Sequence, residues 1–218
     1  MVRLPSAFRK WKHDLNQKHL KMIVKRESNP GDKHSLDHRN WIPAEHVQVN
    51  FSIGHDGSNI FLRYDVQEEQ VRAVNTEFNS AVWEDSCVEF FFSFEEDDNY
   101  YNFEINAIGT VLGAYGKNRN ERTWLPASLL KQIETRSSLG SEPFEANKDF
   151  NSWDIFIRIP IRVFCYNNHK DLSGKQGMAN FYKCGDKLDK PHFLSWKPVE
   201  TEKPDFHLPE FFGQLSFG

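Results

Sequence analysis

The stretch from Trp83 to Phe94 places an indole and a carboxylate beside a strand-forming run. Residues Cys87–Phe94 are short and rich in aromatic and β-prone side chains, which predicts a strand. Period-2 alternation puts Val88 on one face and Glu89 on the other. A flat indole and a hydrogen-bond acceptor together can bind a polyhydroxylated ligand. The alternative is a tryptophan that packs in the core and a glutamate exposed to solvent.

Two further strands carry polar groups on one face. In the run Tyr100–Ile108 the apolar side chains alternate with Asn102, Glu104 and Asn106. This pattern is typical of a sheet with one face in the core and the other lining a polar groove. In Gly177–Cys184, Asn180 lies opposite the apolar face. These amides and carboxylates could supply donors and acceptors to ligand hydroxyls.

The rest of the chain predicts an all-β protein. Residues 47–66 read as a hairpin around an Asp-Gly turn, and further short strands follow between turn signals. Helical periodicity is almost absent, which favours an antiparallel β-sandwich of the jelly-roll or immunoglobulin-like kind. We expect one domain over residues 47–218, with residues 1–46 forming a polar arm that packs on it. Within the arm, Leu20–Val24 is predicted as a short edge strand and Trp41 as an anchor.

Composition excludes several function classes. The chain has 218 residues and a formal net charge of −4, with no basic stripe of the kind that binds nucleic acid. No apolar run reaches membrane-spanning length, so we expect no membrane insertion. The start of the chain has no signal-peptide pattern as written, which leaves export open. The three cysteines show neither a CxxC pair nor zinc spacing; one disulfide or buried free thiols are the alternatives.

The acidic turn Glu95–Asn99 could hold calcium, although it lacks a spaced ligand loop, and a solvated hairpin tip is the alternative. Histidines in the N-terminal arm show no metal-ligand spacing.

Five segments together resemble the family 9 carbohydrate-binding modules, in particular stand-alone members from polysaccharide-degrading gut bacteria. The resemblance covers about residues 40 to 218. The segments are Val82–Phe91, Tyr100–Gly109, Ala179–Gly185, Pro191–Trp196 and Phe206–Gly213.

This resemblance implies a β-sandwich that holds the terminal unit of a sugar chain between two tryptophans. The matching positions are Trp83 and Trp196, with Glu89 as the carboxylate and Asn106 as the strand amide. The family's arginine two residues before that amide is Glu104 here, which puts the ligand contacts in question. The other tryptophans, at positions 11, 41, 124 and 153, are interpreted as core or packing residues.

The same resemblance implies non-catalytic carbohydrate binding in carbohydrate catabolism, with an oligosaccharide or polysaccharide as partner. It also suggests glycoside hydrolases of the same pathway as partners and favours a periplasmic or extracellular location. No cofactor is required, and a structural calcium ion is a family feature whose ligands the sequence does not locate.

The residues alone leave two other functions open. A glycoside hydrolase needs two carboxyl groups across a cleft, for which Glu89, Glu104 and Asp85 are candidates. A haem- or metal-binding sandwich would need axial ligands, for which Met22, Met178, His192 and His207 are candidates.

Overall fold

A computed structural model describes residues 21–149 and 152–218 of the chain. Strands are the main regular secondary structure of these residues, as the alternating pattern predicts, and the fold is an antiparallel β-sandwich. No helix in the described part is long and apolar enough to cross a membrane. One short α-helix, α1, covers Ala127–Leu130, and 3-10 turns cover Val82–Glu84, Ile161–Val163 and Pro209–Phe211.

A large sheet forms one layer of the sandwich. In the described residues its strands follow the order β1-β16-β14-β7-β8-β9-β10, with β15 and β3 added beside β14. All its pairings are antiparallel except that of β1 with β16. The strands are β1 (Met22–Val24), β3 (His38–Arg39), β7 (Cys87–Phe94), β8 (Tyr100–Asn106), β9 (Val111–Gly116), β10 (Arg122–Trp124), β14 (Gln176–Cys184), β15 (Phe193–Ser195) and β16 (Gly213–Phe217).

A smaller sheet forms the second layer, in the order β11-β13-β5-β4-β2, and a separate pair joins β12 to β6. The predicted hairpin over residues 47–66 is confirmed as β4 and β5, which pair in antiparallel register. The strands are β2 (Lys33–Ser35), β4 (Gln48–His55), β5 (Asn59–Gln67), β6 (Val71–Ala73), β11 (Glu134–Ser137), β12 (Phe144–Asn147) and β13 (Ser152–Pro160).

The main core lies between the two sheets. Phe90 and Phe103 from the large sheet and Phe51 and Ile157 from the small sheet belong to one cluster of buried side chains. The predicted faces of β7, β8 and β14 are therefore confirmed. Burying aromatic side chains of this size removes about 150–250 Å² each from water and dominates the stability of such a core.

A second apolar cluster covers the outer face of the large sheet. It combines Cys87 and Phe91 of β7 with Tyr182 of β14, and the C-terminal segment closes over them through Phe206 and Phe212. Phe206 stacks on Tyr182 with ring centroids 4.1 Å apart. The outer face of the large sheet is therefore a covered surface with its own packing.

The described part of the N-terminal arm is hydrogen-bonded to both sheets. The predicted edge strand is present as β1, which pairs with β16. The sequence did not predict β2 and β3, which pair with β4 and β15, nor the short strands β6, β10, β12 and β15. Strands of two to four residues carry too little alternation to be recognised, and their longer partners stabilise them.

Candidate functional site

A cavity of about 190 Å³ opens on the outer face of the large sheet. Its floor is formed by Glu89 of β7, Glu104 of β8 and Cys184 at the end of β14. Pockets that enclose drug-sized ligands measure roughly 300–1,000 Å³, so this cavity is sized for a small ligand or one end of a longer one. The remaining lining residues are Trp41, Trp83, Arg119, Arg122, Asp186, Phe193, Pro204, Asp205, Phe206 and His207.

The first tryptophan of the cavity, Trp83, lies in the 3-10 turn before β7. Its ring is half-buried, and it packs against the outer apolar cluster. Its carbonyl oxygen accepts a hydrogen bond from the Asp186 backbone N–H at 3.2 Å. The turn is thus fastened to the loop after β14, which fixes the position of the indole.

The buried Asp85 carboxylate anchors this turn from below. It accepts hydrogen bonds from the Arg72 guanidinium at 2.6 Å, the Asn75 backbone N–H at 3.0 Å and the Asn106 side-chain amide at 2.9 Å. Asp85 is wholly buried, and charge-assisted hydrogen bonds of this kind are the strong ones. The network therefore holds the backbone immediately beside Trp83.

The second tryptophan of the cavity is Trp41, in the loop after β3. Its backbone has a φ of 63°, in the left-handed region that a bulky residue rarely adopts. The ring packs edge-on against Phe193 at 5.7 Å and tilts over Phe206 at 5.5 Å. Its Nε1–H donates to the Thr201 carbonyl at 2.8 Å. The backbone strain is thus offset by contacts that fix the indole at the cavity.

Glu89 and Glu104 are direct cross-strand neighbours in the register of β7 and β8, and each is only 3% exposed. Burial raises the pKa of Glu89 well above its usual value, and the charge of Glu104 adds to the effect. Burial likewise raises the pKa of Glu104 to about 7, although Arg122 and Arg119 oppose it. Two carboxyl groups that ionise reluctantly can present both a donor and an acceptor to a ligand.

Two arginines and a histidine surround the Glu104 side of the cavity. The Arg122 guanidinium lies 3.5 Å from the Glu104 carboxylate and donates to Nε2 of His207 at 3.2 Å. His207 Nδ1 is then the protonated ring nitrogen, 2.9 Å from the Tyr100 hydroxyl. Burial holds the pKa of His207 well below its usual value, and Arg122 reinforces this. Arg119 pairs with Asp205 at 3.5 Å.

The structure brings together three of the six predicted site residues, Trp83, Glu89 and Glu104. Asn106 is buried and does not line the cavity: its amide bonds Asp85 and the Asn75 carbonyl, and its oxygen accepts the Thr110 N–H. Its place in the structure is in the anchor of the Trp83 turn.

Asn180 is also buried away from the cavity. Its amide donates to the Lys197 carbonyl at 3.1 Å and the Phe211 carbonyl at 3.3 Å, and its oxygen accepts the Lys197 N–H at 2.9 Å. Asn180 therefore ties two C-terminal segments to β14. Asn180 lies on the polar face of β14 as predicted, but its side-chain amide is hydrogen-bonded to backbone groups of this chain.

Trp196 does not line the cavity, so the predicted pairing of Trp83 with Trp196 across one cup is not what the structure shows. The Trp196 ring packs edge-on against Phe51 at 6.4 Å and Phe181 at 5.7 Å. Both phenylalanines belong to the inter-sheet core, on the side of the large sheet opposite the cavity. The Lys197 ammonium lies 4.1 Å from the centre of the Trp196 ring.

The packing interpretation of the remaining tryptophans holds in part. Trp153 is buried and donates its Nε1–H to Glu68 at 2.7 Å. Trp124 is 45% exposed with the Arg122 guanidinium 4.8 Å from its ring centre, so it is not a core residue. Trp41 packs as predicted but also lines the cavity, and Trp11 lies outside the described residues.

The acidic turn proposed for calcium is hydrogen-bonded within the protein at Asp97. Its carboxylate accepts the Tyr115 hydroxyl at 2.6 Å, the Asn167 amide at 3.1 Å and the Asn99 backbone N–H at 2.9 Å. Three groups of the protein itself therefore hold the Asp97 carboxylate in place. A structural calcium ion stays a prediction, at this turn or at another place in the chain.

The sequence reasoning did not assign Trp41, the two arginines, Asp186, Asp205 or His207 to a saccharide site, although it named Trp41 as an anchor and His207 as a candidate metal ligand. Arg119 precedes β10 and Arg122 begins it, but the sequence over residues 117–123 indicates only a charged loop and carries no spacing signal. His207 lies in one of the segments on which the family resemblance depends, which is the one signal that could have indicated it.

Comparison with known proteins identifies the family. The family described as Carbohydrate-binding family 9 matches residues 22–217. No curated protein sequence matches the chain. Among solved structures, a Bacteroides uniformis ATCC 8492 protein provisionally assigned as carbohydrate-binding is 39% identical, with a TM-score of 0.85, over 92% of this chain and 100% of its own.

Two solved structures of a family 9 module from Caldicellulosiruptor kristjanssonii share the fold. The one in complex with cellotriose is 10% identical with a TM-score of 0.60, over 91% of this chain and 93% of its own. The one in complex with glucose is 12% identical with a TM-score of 0.57, over 91% of this chain and 96% of its own. The match over nearly the whole described chain means that this protein belongs to carbohydrate-binding family 9.

Proposed function

We propose that the protein is a non-catalytic module that binds the terminal unit of a saccharide chain in the cavity between Trp41 and Trp83. The observation that carries the proposal is the meeting of two indoles, two carboxyl groups and two arginines in one small cavity. The apolar faces of a pyranose ring can lie on an indole and release water from both surfaces.

The polar groups of the cavity suit the hydroxyls of such a ring. Arg119 and Arg122 donate fixed forks of N–H groups, and Glu89 and Glu104 accept, or donate when protonated. The apolar area is small, so we expect dissociation constants of roughly 10⁻⁶ to 10⁻³ M. In this proposal Trp41 takes the place at the ligand that the sequence assigned to Trp196.

The two Caldicellulosiruptor sugar complexes support the proposal at the level of ligand class. They contain cellotriose and glucose. The sequences are only 10% and 12% identical to this chain, so the sugar and the linkage for this protein are for experiment to identify. Glycoside hydrolases acting on the same glycan are the partners we propose.

A glycan array with the purified full-length chain tests the proposal. We expect binding to a restricted set of glycans that share one terminal unit, and loss of that binding in Trp83→Ala. Binding to no glycan, or an unchanged array with Trp41→Ala and Trp83→Ala combined, would contradict it.

A hydrolase remains the competing function because Glu89 and Glu104 face one cavity from adjacent strands. Opposed carboxyl groups at a suitable distance are the machinery of glycoside hydrolysis. We expect no sugar release from any glycan that the array identifies. Release of sugar that disappears in Glu89→Gln would replace binding by catalysis as the function.

A further inference from the structure

The floor of the cavity holds a cluster of metal-ligating groups whose two cysteines have no part in the proposed saccharide binding. Cys87 of β7 and Cys184 of β14 are direct cross-strand partners, and Glu89 lies two residues along β7 on the same face. One ligand atom from each of the three residues lies within 4.8 Å of the other two. The Cys184 Sγ is 3.1 Å from Glu89 Oε1. The chain separates the two cysteines widely, so no spacing motif reveals the cluster.

The cluster is buried but reachable. Cys87, Glu89 and Cys184 are 0%, 3% and 2% exposed, and both cysteines are free thiols. Glu89 and Cys184 also line the cavity, whereas Cys87 lies behind them. An ion that enters the cavity would therefore meet one sulfur and one carboxylate first, with the second sulfur beyond.

The surrounding charges favour a cation at this place. The cavity is lined by four carboxyl groups and two arginines. The two arginines are paired with other acids, Arg122 with Glu104 and Arg119 with Asp205, each at 3.5 Å. Lys183, next to Cys184 in sequence, forms its ion pair with Glu68 at 2.8 Å. Each neighbouring cation thus has a carboxylate of its own, and none of these pairs uses Glu89.

We propose that Cys87, Glu89 and Cys184 form a binding site for one thiophilic divalent cation of the zinc class, with a fourth coordination position open to the cavity. Two thiolates and one carboxylate are a donor set that zinc accepts, and three protein ligands with one open position describe an exchangeable site. From usual Zn–S and Zn–O bond lengths, the donor atoms of a tetrahedral site lie about 3.4–3.8 Å apart. The three ligand atoms lie within 4.8 Å of one another and the Cys184–Glu89 pair at 3.1 Å, so shifts of roughly 1 Å would bring them to that spacing.

The metal site goes beyond saccharide binding and stands whether or not the cavity takes a sugar. Glu89 is common to both, so a bound ion would alter the floor on which a sugar rests. Metal binding would release the thiol protons to solvent, since only thiolates act as ligands. No electron transfer is involved.

The test uses the reduced, metal-stripped full-length protein and compares the three cysteines. Calorimetric titration with Zn²⁺ measures affinity and stoichiometry, and titration with Cd²⁺ measures the thiolate-to-metal absorbance in the ultraviolet. We expect one ion per chain in the wild type and in Cys165→Ser, whose thiol is exposed and remote from the cluster. We expect Cys87→Ser and Cys184→Ser each to weaken binding by more than about 10-fold, the smallest loss seen when even an outer-shell partner is removed.

Zn²⁺ and Cd²⁺ binding to the wild type can refute the proposal even if a buried cysteine variant fails to fold. The Cd²⁺ absorbance should report two thiolates per ion in the wild type and in Cys165→Ser alike. Absence of Zn²⁺ and Cd²⁺ binding to the reduced wild type overturns the proposal, and so does undiminished binding in folded Cys87→Ser and Cys184→Ser. Detection by mass spectrometry of a Cys87–Cys184 disulfide that dithiothreitol does not reduce in the native protein also overturns it, because the ligands would then be consumed.

A sugar titration with and without Zn²⁺ separates this proposal from the proposed function. Loss of sugar binding in Trp83→Ala with unchanged Zn²⁺ affinity supports two separable activities. Failure of the wild type to bind any sugar while one Zn²⁺ ion still binds leaves the metal proposal supported and contradicts only the saccharide proposal.

Discussion

Three tryptophans of this protein have chemically identical side chains and different surroundings. Trp41 and Trp83 line the cavity on the outer face of the large sheet. Trp196 packs on Phe51 and Phe181 of the inter-sheet core. A Cβ at Gly213 would come within 2.6 Å of the Trp196 ring, so the ring fits only because that residue is glycine. Residue type alone therefore does not identify a ligand-binding indole.

Alanine substitution should separate these two kinds of tryptophan. We expect Trp41→Ala and Trp83→Ala each to weaken saccharide binding at least about 10-fold, or roughly 1.4 kcal/mol, because each removes one apolar surface from the ligand. Trp196→Ala should leave binding close to wild type and lower the free energy of unfolding by about 3 kcal/mol through the cavity that it creates. Calorimetric titration and urea unfolding measure the two quantities. Loss of binding in a stably folded Trp196→Ala would restore that residue to the site.

His192 gives a prediction for the pH dependence of stability. It is 1% exposed, and its Nε2 lies 2.7 Å from the Lys183 ammonium. Burial lowers the pKa of His192 to about 2, and the charge of Lys183 contributes. Its pKa in the unfolded chain is about 6.5. Between these two values the unfolded chain binds a proton that the folded protein does not, so this contribution to stability is complete above pH 6.5 and is lost as the pH falls.

His192→Asn removes this proton linkage. Lowering the pH from 7 to 5 should decrease the free energy of unfolding of the wild type by about 2 kcal/mol more than that of the variant. Urea unfolding of both proteins at the two pH values measures the difference. His34→Asn is the comparison variant: burial also lowers the pKa of His34, but that histidine is only half-buried on the small sheet, so its removal should change the pH dependence less. Equal pH dependence in the wild type and His192→Asn would show that His192 titrates normally.

At the scale of elements, the cavity depends on a short 3-10 turn that has little stability of its own. A single turn of this kind is held by its surroundings. Asp85 bonds it to β6 through Arg72 and to β8 through Asn106, and the Trp83 and Glu84 carbonyls accept the Asp186 and Lys187 N–H groups. The turn that carries Trp83 is therefore tied to three separate parts of the fold.

Asp85→Ala should damage both stability and binding. The change leaves the Arg72 guanidinium and the Asn75 and Asn106 amides without their common acceptor, and breaking a buried ion pair costs about 3–5 kcal/mol. We expect a fall of that size in the unfolding free energy and weaker saccharide binding, because Trp83 loses its support. Thermal unfolding and calorimetric titration are the measurements.

Asp154→Ala is the matched control for this prediction. Asp154 pairs with Arg63 at 3.1 Å, with both side chains more than one third exposed. Such a surface pair contributes about 0–1 kcal/mol, so the control should fold and bind nearly as the wild type does. Equal effects of Asp85→Ala and Asp154→Ala on stability would mean that the anchor is not a buried ion pair.

At the scale of the whole molecule, the large sheet is packed on both faces. Its inner face meets the small sheet through one core cluster, and its outer face carries a second cluster closed by the C-terminal segment. The cavity lies within that second layer. A small cavity bounded by a covering layer favours the end of a glycan over its middle.

This arrangement predicts dependence on a chain end. If the reducing end is the end that binds, oligosaccharides whose reducing-end unit is reduced to an open-chain alditol should bind at least about 10-fold more weakly than the untreated glycans, because an open chain no longer presents a flat ring to the indoles. At 100 times the dissociation constant, the untreated glycan should stabilise the folded protein by about 2.7 kcal/mol. Thermal unfolding with both ligands measures this, and equal stabilisation by both would contradict recognition of the reducing end.

The alternation of side chains along the long strands was predictable because it is a local property of an extended backbone. Phe90 and Phe103 face the core, and Glu89 and Glu104 face the cavity, as period 2 requires. Family membership was also predictable, because the matching segments are long and occur in order. Asn106 and Asn180 had to lie on the polar faces of their strands, but that placement alone leaves open what those amides bond.

Only the tertiary structure decided which distant residues share the cavity. Trp41 arrives there because β3 pairs with β15 and the chain then takes a left-handed backbone conformation, while Cys87 meets Cys184 through the register of β7 with β14. The sequence by itself determined the long strands, their apolar and polar faces and the family. Which loops and strand ends converge depends on pairings between residues far apart in the chain, and no local periodicity encodes those pairings.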